Sequence, residues 1–123
     1  MKLHADPLTH LNTVTGYGAG FIEINALRHS GSILVAPDAA VEPWSARSFE
    51  ALAIDDFSAL LRLKPELVLL GTGSRQRFPH PRLTRPLADA RIGIEVMNTA
   101  AACRTYNILM SEGRRVLAAF LQD

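Results

Sequence analysis

Glu66-Leu67-Val68-Leu69-Leu70-Gly71-Thr72-Gly73-Ser74-Arg75 is the stretch on which the fold turns. Leu67 to Leu70 is apolar on both faces, as expected of a central parallel strand covered by a layer on each side. Gly-Thr-Gly then stops the strand abruptly and opens a backbone-lined crevice at the sheet's carboxyl edge, where open α/β sheets receive ligands.

Upstream of this strand, Asp55-Asp56 opens a helix in which Phe57, Leu60, Leu61 and Lys64 fall at helical spacing, and Pro65 ends it. Downstream, Pro79 and Pro81 bracket His80, and Leu83, Leu87 and Ala90 share one helical face. That helix has to begin just before Pro86, because proline is tolerated in a first turn and costs about 3 kcal/mol in an interior. Arg91 to Met97 reads as a strand. Asn98-Thr99 caps a helix over 100–112 that ends at Gly113, and Arg115 to Phe120 is a final strand. The order β-loop-α-β-α-β, with right-handed crossovers, predicts a parallel sheet with helices against it.

The first third has a different texture. Thr13 to Asn25 alternates and carries Gly16, Gly18 and Gly20 at spacing two, the pattern of strands joined by a tight turn or bulge. His29-Ser30-Gly31 punctuates before a strand at Ser32 to Pro37, and Val41 to Trp44 is a brief extended segment. These segments predict an antiparallel meander. Residues 1–12, polar and broken by Pro7, read as a loosely ordered arm.

With 123 residues, 48% of them hydrophobic and 20% charged, the chain matches one domain over 1–123 whose core needs no metal or disulfide. Thirteen basic against twelve acidic side chains leave a formal charge of +1, far from the positive field that binding a phosphate backbone demands, so nucleic acid is not an expected partner. The single cysteine forms no internal disulfide, and His4-Ala5-Asp6-Pro7 stands where a signal peptide would be apolar; a cytoplasmic protein is expected. The run Leu67 to Leu70 is far short of the roughly 20 residues of a membrane span.

Two readings of Gly71-Thr72-Gly73 stay open. The glycines either permit a tight turn or close backbone approach, or they rim a functional crevice, with Ser74, Arg75, Arg77 and the helix start at Asn98-Thr99 as its other walls. Nucleotide versions fail: the dinucleotide fingerprint needs a third glycine where Gln76 stands, and no Gly-Lys-Ser/Thr follows for a phosphate loop. Arg75, Arg77, His80, Arg82 and Arg85 form a local basic patch whose forks suit carboxylate or phosphate, against the plainer reading of a solvated face. Cys103, near a helix start, is a candidate thiolate or simply a small core residue. Asn107 is expected to tie its helix to a neighbouring segment by hydrogen bonds. His4, Asp6 and His10 lack metal-ligand spacing, Ser74 lies in no nucleophile elbow, and no metal or cofactor is called for.

Leu-Gly-Thr-Gly (70–73), Pro-His-Pro (79–81), Ile-Gly-Ile-Glu-Val-Met-Asn-Thr-Ala-Ala-Ala-Cys-Arg-Thr-Tyr-Asn-Ile-Leu (92–109) and Glu-Gly-Arg-Arg-Val (112–116), taken together, resemble the small family that contains the mitochondrial complex I assembly factor 3, the adipogenesis-associated domain protein and many uncharacterised bacterial proteins. The resemblance runs from about residue 15 to Phe120. It implies a three-layer β+β/α fold, with a small antiparallel N-terminal β-layer on a mixed, partly parallel sheet and helices on the other face. The resemblance supplies no catalytic residues, and its best-attested role is assembly of a respiratory membrane complex.

The leading expectation is therefore a non-enzymatic interaction or assembly protein, bacterial and cytoplasmic. It would serve a respiratory or inner-membrane complex, in peripheral contact with a membrane, through the crevice of Gly71, Thr72, Gly73, Ser74, Arg75, Arg77, Asn98 and Thr99. The alternative is a site for a small anionic ligand or an enzyme at the same crevice, in which the glycine turn and the start of the last helix hold the anion and Arg75, Arg77 or Cys103 contacts the reacting part. No oligomeric state is specified.

Overall fold

The computed structural model describes residues 10–123. His4, Asp6 and most of the expected arm lie outside the described residues. Asn12, at the arm's end, is anchored: its N–H donates to the Pro37 carbonyl at 2.8 Å and its Nδ2 to the Ala36 carbonyl at 2.9 Å.

Two sheets organise the chain. β1 (Val14–Gly18), β2 (Phe21–Ile24) and β3 (Leu27–Ser30) form an antiparallel three-stranded sheet in the order β1-β2-β3. β4 (Ile33–Val35), β5 (Glu42–Pro43), β6 (Leu67–Thr72), β7 (Gly93–Met97) and β8 (Val116–Leu121) form a mixed sheet in the order β5-β4-β8-β6-β7. β6 runs parallel to both β7 and β8, whereas β4 runs antiparallel to β8. The helices are α1 (Ile54–Ser58), continued by a 3₁₀ helix over Ala59–Leu63, then α2 (Pro81–Asp89) and α3 (Thr99–Ser111).

The mixed sheet divides the core by strand alternation. Leu67, Leu69, Val116, Ala118 and Phe120 face one way, onto α3 and the three-stranded sheet through Val14, Ile22, Ile24, Cys103 and Tyr106. Val68, Leu70, Leu117, Ala119 and Leu121 face the other way, onto Phe57, Leu60, Trp44 and Leu87. This is the expected α/β arrangement of an N-terminal β-layer on a mixed sheet. α1, the 3₁₀ helix and α2 make the helical layer, while α3 lies on the β-layer's side. Asn107 fastens α3 to β1 through both functions of its amide: its Oδ1 accepts the Val14 N–H at 2.9 Å and its Nδ2 donates to the Val14 carbonyl at 2.8 Å.

Three local expectations are corrected. His29 and Ser30 do not interrupt the chain but lie within β3, because Asn25 and Ala26, at φ +49° and +69°, form the two-residue turn that returns the chain along β2. An alanine in the left-handed region is what hid this hairpin. β4 then leaves the meander for the mixed sheet, pairing with β8. Pro86 is inside α2 and not in its first turn: Pro81 occupies the first position and His80 caps the helix, its Nδ1 accepting the Arg82 N–H at 3.0 Å. The missing donor at Pro86 falls opposite Arg82, which is exposed, so water can satisfy the Arg82 carbonyl.

Candidate functional site

Parallel pairing of β6 with both neighbours brings three strand ends to one edge: Gly71-Thr72-Gly73 at the end of β6, Asn98 after β7, and Gln122-Asp123 after β8. At this edge a cleft of about 360 Å³ is walled by Gly73 and Ser74, by Asn98, Thr99 and Ala100 at the start of α3, by Gln122 and Asp123, and by the β1–β2 hairpin from Tyr17 to Phe21. A second hollow, of about 230 Å³, lies at the opposite end of β8 between Leu11, Pro65 and Gly113 and contains none of the candidate residues.

Close approach, not an open cradle, explains the first glycine. A Cβ on Gly71 would lie 3.0 Å from the Thr99 hydroxyl and 3.1 Å from the Thr99 Cα, so a side chain there would press on the start of α3. Gly73, at φ +90°, turns its N–H onto the Thr99 hydroxyl at 2.8 Å and its carbonyl onto the Thr99 N–H at 2.9 Å. The same hydroxyl donates to the Leu121 carbonyl at 2.8 Å, so Thr99 joins the ends of β6 and β8 to its helix. Asn98 caps α3, its Oδ1 accepting the Ala101 N–H at 2.8 Å. Thr72 is fully buried; its hydroxyl lies 2.5 Å from the Arg75 carbonyl and accepts the Arg77 N–H at 3.2 Å, which fixes the loop after the turn.

Ser74 faces an anion supplied by the chain itself. Its N–H donates to Asp123 Oδ2 at 2.9 Å and its hydroxyl donates to the same oxygen. These hydrogen bonds, with the Arg77 and Arg75 charges, hold the Asp123 carboxyl below the usual carboxylate range.

The basic patch disperses. Arg77 turns away from the cleft, its Nη1 lying 3.2 Å from both Glu50 carboxylate oxygens and its guanidinium 4.4 Å over the Phe49 ring. Arg85 lies 3.8 Å from Asp89 on α2, His80 is spent on the helix cap, and Arg75 stays exposed. Cys103 is wholly buried in the core beneath α3, and burial pushes its thiol up to about 12, more strongly than Arg104 pulls it down. Desolvation thus outweighs any help from the helix dipole, and the thiolate role has no support at neutral pH. No three His, Cys, Asp or Glu side chains among the described residues form a group that could hold a metal ion. Within the same residues no helix is long and apolar enough to cross a membrane.

Of the candidates read from sequence, the structure therefore gathers Gly73, Ser74, Asn98 and Thr99 around one cleft, with Gly71 and Thr72 directly beneath. It leaves Arg75 and Arg77 outside and Cys103 in the core. The sequence reading missed Asp123, Gln122 and the hairpin wall. For Asp123 a signal existed, an acid placed just after the last strand, but it carries meaning only once β8 is known to lie beside β6.

Comparison with known proteins agrees with this architecture. Residues 14–121 match the model of a family described as protein of unknown function (DUF498/DUF598). An uncharacterised protein of Rhodobacter capsulatus is 38% identical over 110 residues, 88% of this chain and 82% of that protein. The bovine NADH dehydrogenase [ubiquinone] 1 alpha subcomplex assembly factor 3 is 34% identical over 104 residues, 83% of this chain but only 55% of the bovine protein. Among solved structures, a Bordetella parapertussis protein superposes with a TM-score of 0.88 at 46% identity, over 95% of this chain and all of that one. A Bordetella pertussis protein described as a Mth938-like domain gives 0.80 at 40% identity, over all of this chain and 93% of that one.

Proposed function

This chain belongs to the DUF498/DUF598 family, and on that premise we propose that it is a non-enzymatic protein that binds a protein partner during assembly of a larger complex, with the cleft edge of the mixed sheet as its contact surface. The observation that carries this reading is that the donors of the glycine turn are already met within the chain and the cysteine is buried. The Gly73 N–H is held by Thr99, Ser74 by Asp123, and Cys103 is buried. What remains available near the glycine turn is contact surface: Phe78 in the loop after β6 is 72% exposed and Tyr17 on the hairpin 41% exposed. Exposed aromatic side chains of this kind serve as anchors at protein interfaces.

The relatives named as assembly factors of NADH dehydrogenase support a respiratory or inner-membrane complex as the client. Likeness to the Bordetella proteins supports a bacterial setting, and we place the protein in the cytoplasm as one domain in peripheral contact with its client. Affinity capture after cross-linking in bacterial cells tests the reading. A specific partner should be recovered with the native chain and lost with Phe78→Ala combined with Arg75→Glu, two exposed positions whose replacement leaves the fold intact. Recovery of no partner, or full retention by the double variant, refutes it.

A small-anion site remains the second reading, favoured by the seat that Ser74 provides for a carboxylate. A thermal-shift screen of carboxylate and phosphate metabolites separates the two, since a ligand at 100 times its dissociation constant adds about 2.7 kcal/mol of stability.

A further inference from the structure

At the cleft Ser74 presents an N–H and a hydroxyl to a single carboxylate oxygen. Gln122 also lines the cleft, with its Nε2 buried away from solvent and without an acceptor among the described residues. The carboxylate that meets the Ser74 donors belongs to Asp123, an exposed residue just beyond β8. Gly73, at φ +90°, turns the chain so that the Asp123 carboxylate lies directly against it, with no side chain between. Arg75 and Arg77 lower the Asp123 carboxyl further from outside the cleft, which puts the seat in a positive local field although the chain as a whole is nearly neutral.

We propose that the Gly73-Ser74 turn is a carboxylate-recognition site for an acidic side chain of the protein partner, and that Asp123 is a displaceable internal occupant holding the site when the partner is absent. The proposal rests on the partner-binding reading and supplies the partner's chemistry. An entering Glu or Asp takes over the Ser74 N–H and hydroxyl, and Asp123 swings into solvent, a move its exposure permits. The hairpin from Tyr17 to Phe21, with Phe21 and the half-exposed Tyr17, offers the apolar wall against which the stem of that acidic side chain packs. Because the internal carboxylate competes at very high effective concentration, the native chain binds such a group weakly and binds tightly only to a partner that makes further contacts along the edge. Recognition is thereby restricted to a partner matching the whole surface.

The probe is the blocked peptide acetyl-Gly-Glu-Gly-amide, with acetyl-Gly-Gln-Gly-amide as its uncharged counterpart, titrated into the full chain and followed by ¹H–¹⁵N shifts. Asp123→Ala should bind the Glu peptide at least tenfold more tightly than the native chain, with the largest shifts at the Ser74 amide and the Gln122 side chain. The Gln peptide should bind at least tenfold more weakly. Ser74→Ala added to Asp123→Ala should remove most of the gain; both positions are exposed, so folding is preserved. Equal affinity for native and Asp123→Ala chains, equal affinity for the two peptides, or shifts away from Ser74 overturns the proposal. A captured partner with no probe binding overturns the carboxylate site and leaves the assembly reading intact. Probe binding at Ser74 with no captured partner keeps the site and overturns the assembly reading.

Discussion

Replacing Thr99 by valine tests whether the glycine turn is held by the residues assigned to it. Valine keeps the volume and the branching and removes only the hydroxyl. That hydroxyl accepts the Gly73 N–H at 2.8 Å and donates to the Leu121 carbonyl at 2.8 Å, both bonds buried, and Thr99 itself is 8% exposed. Water cannot replace either bond without opening the junction of β6, β8 and α3. Leaving a buried donor or acceptor unmade costs about 1–3 kcal/mol, so two such losses place Thr99→Val about 2–6 kcal/mol below the native chain. An unfolding entropy of about 2.1 cal/mol/K per residue, over 123 residues, converts this to a melting temperature lower by about 8–23 °C. Thr99→Ser keeps both bonds and loses one methyl group, about 0.8 kcal/mol, or about 3 °C. Calorimetry on the three chains, with urea unfolding as a second measure, gives the comparison. If Thr99→Val melts within 2 °C of the native protein, or no lower than Thr99→Ser, the hydroxyl does not join the three elements and the account of the turn is wrong.

Four further outcomes follow from the same geometry. Gly71→Ala forces a methyl to about 3 Å from the Thr99 Cα, a backbone atom that cannot step aside, and should cost about 1–3 kcal/mol by urea midpoint. Cys103, raised from 9.0 to about 12, should not react with a thiol-specific disulfide reagent at pH 8 in the folded protein and should react at the rate of global unfolding once denaturant is added. Since its folded value lies above its unfolded one, the stability it contributes is complete below pH 9 and is lost as pH rises toward 12, so the difference between the native chain and Cys103→Ala should shrink over that window. Asp123 has the opposite sign: its carboxyl is lowered from 3.8 by Ser74, so the advantage of the native chain over Asp123→Asn should be full above about pH 4 and vanish as pH falls through the lowered folded value, read by melting temperature at stepped pH.

Strand, helix and cap signals were legible where they are local. Leu67 to Leu70, the Asn98 cap and the Gly113 terminus needed only periodicity and side-chain chemistry, and each element formed within a residue or two of its expected bounds. β3 was not legible, because its turn uses Asn25 and Ala26 in a backbone region that alanine seldom adopts. The five residues of α1 pass into a 3₁₀ helix at Ala59, which ends where the chain turns at Lys64 with φ +49°, just before Pro65.

The candidate site divides along the same line. Apolar alternation and punctuation are properties of neighbouring residues, so the sequence alone carries the parallel α/β half, the strand-to-glycine turn and the pairing of β6 with β7 that brings Gly73 near Asn98. Which residue fills the turn depends on the strand on its other side. β8 follows β6 by more than forty residues and crosses back to lie beside it, a choice made by burying both faces of the sheet at once. That tertiary pairing sets Asp123 on Ser74 and Leu121 on Thr99, while the packing of the layers sends Arg77 out to Glu50 and turns Cys103 to the buried face of α3. Local spacing cannot encode contacts whose partners are fixed by the packing of layers.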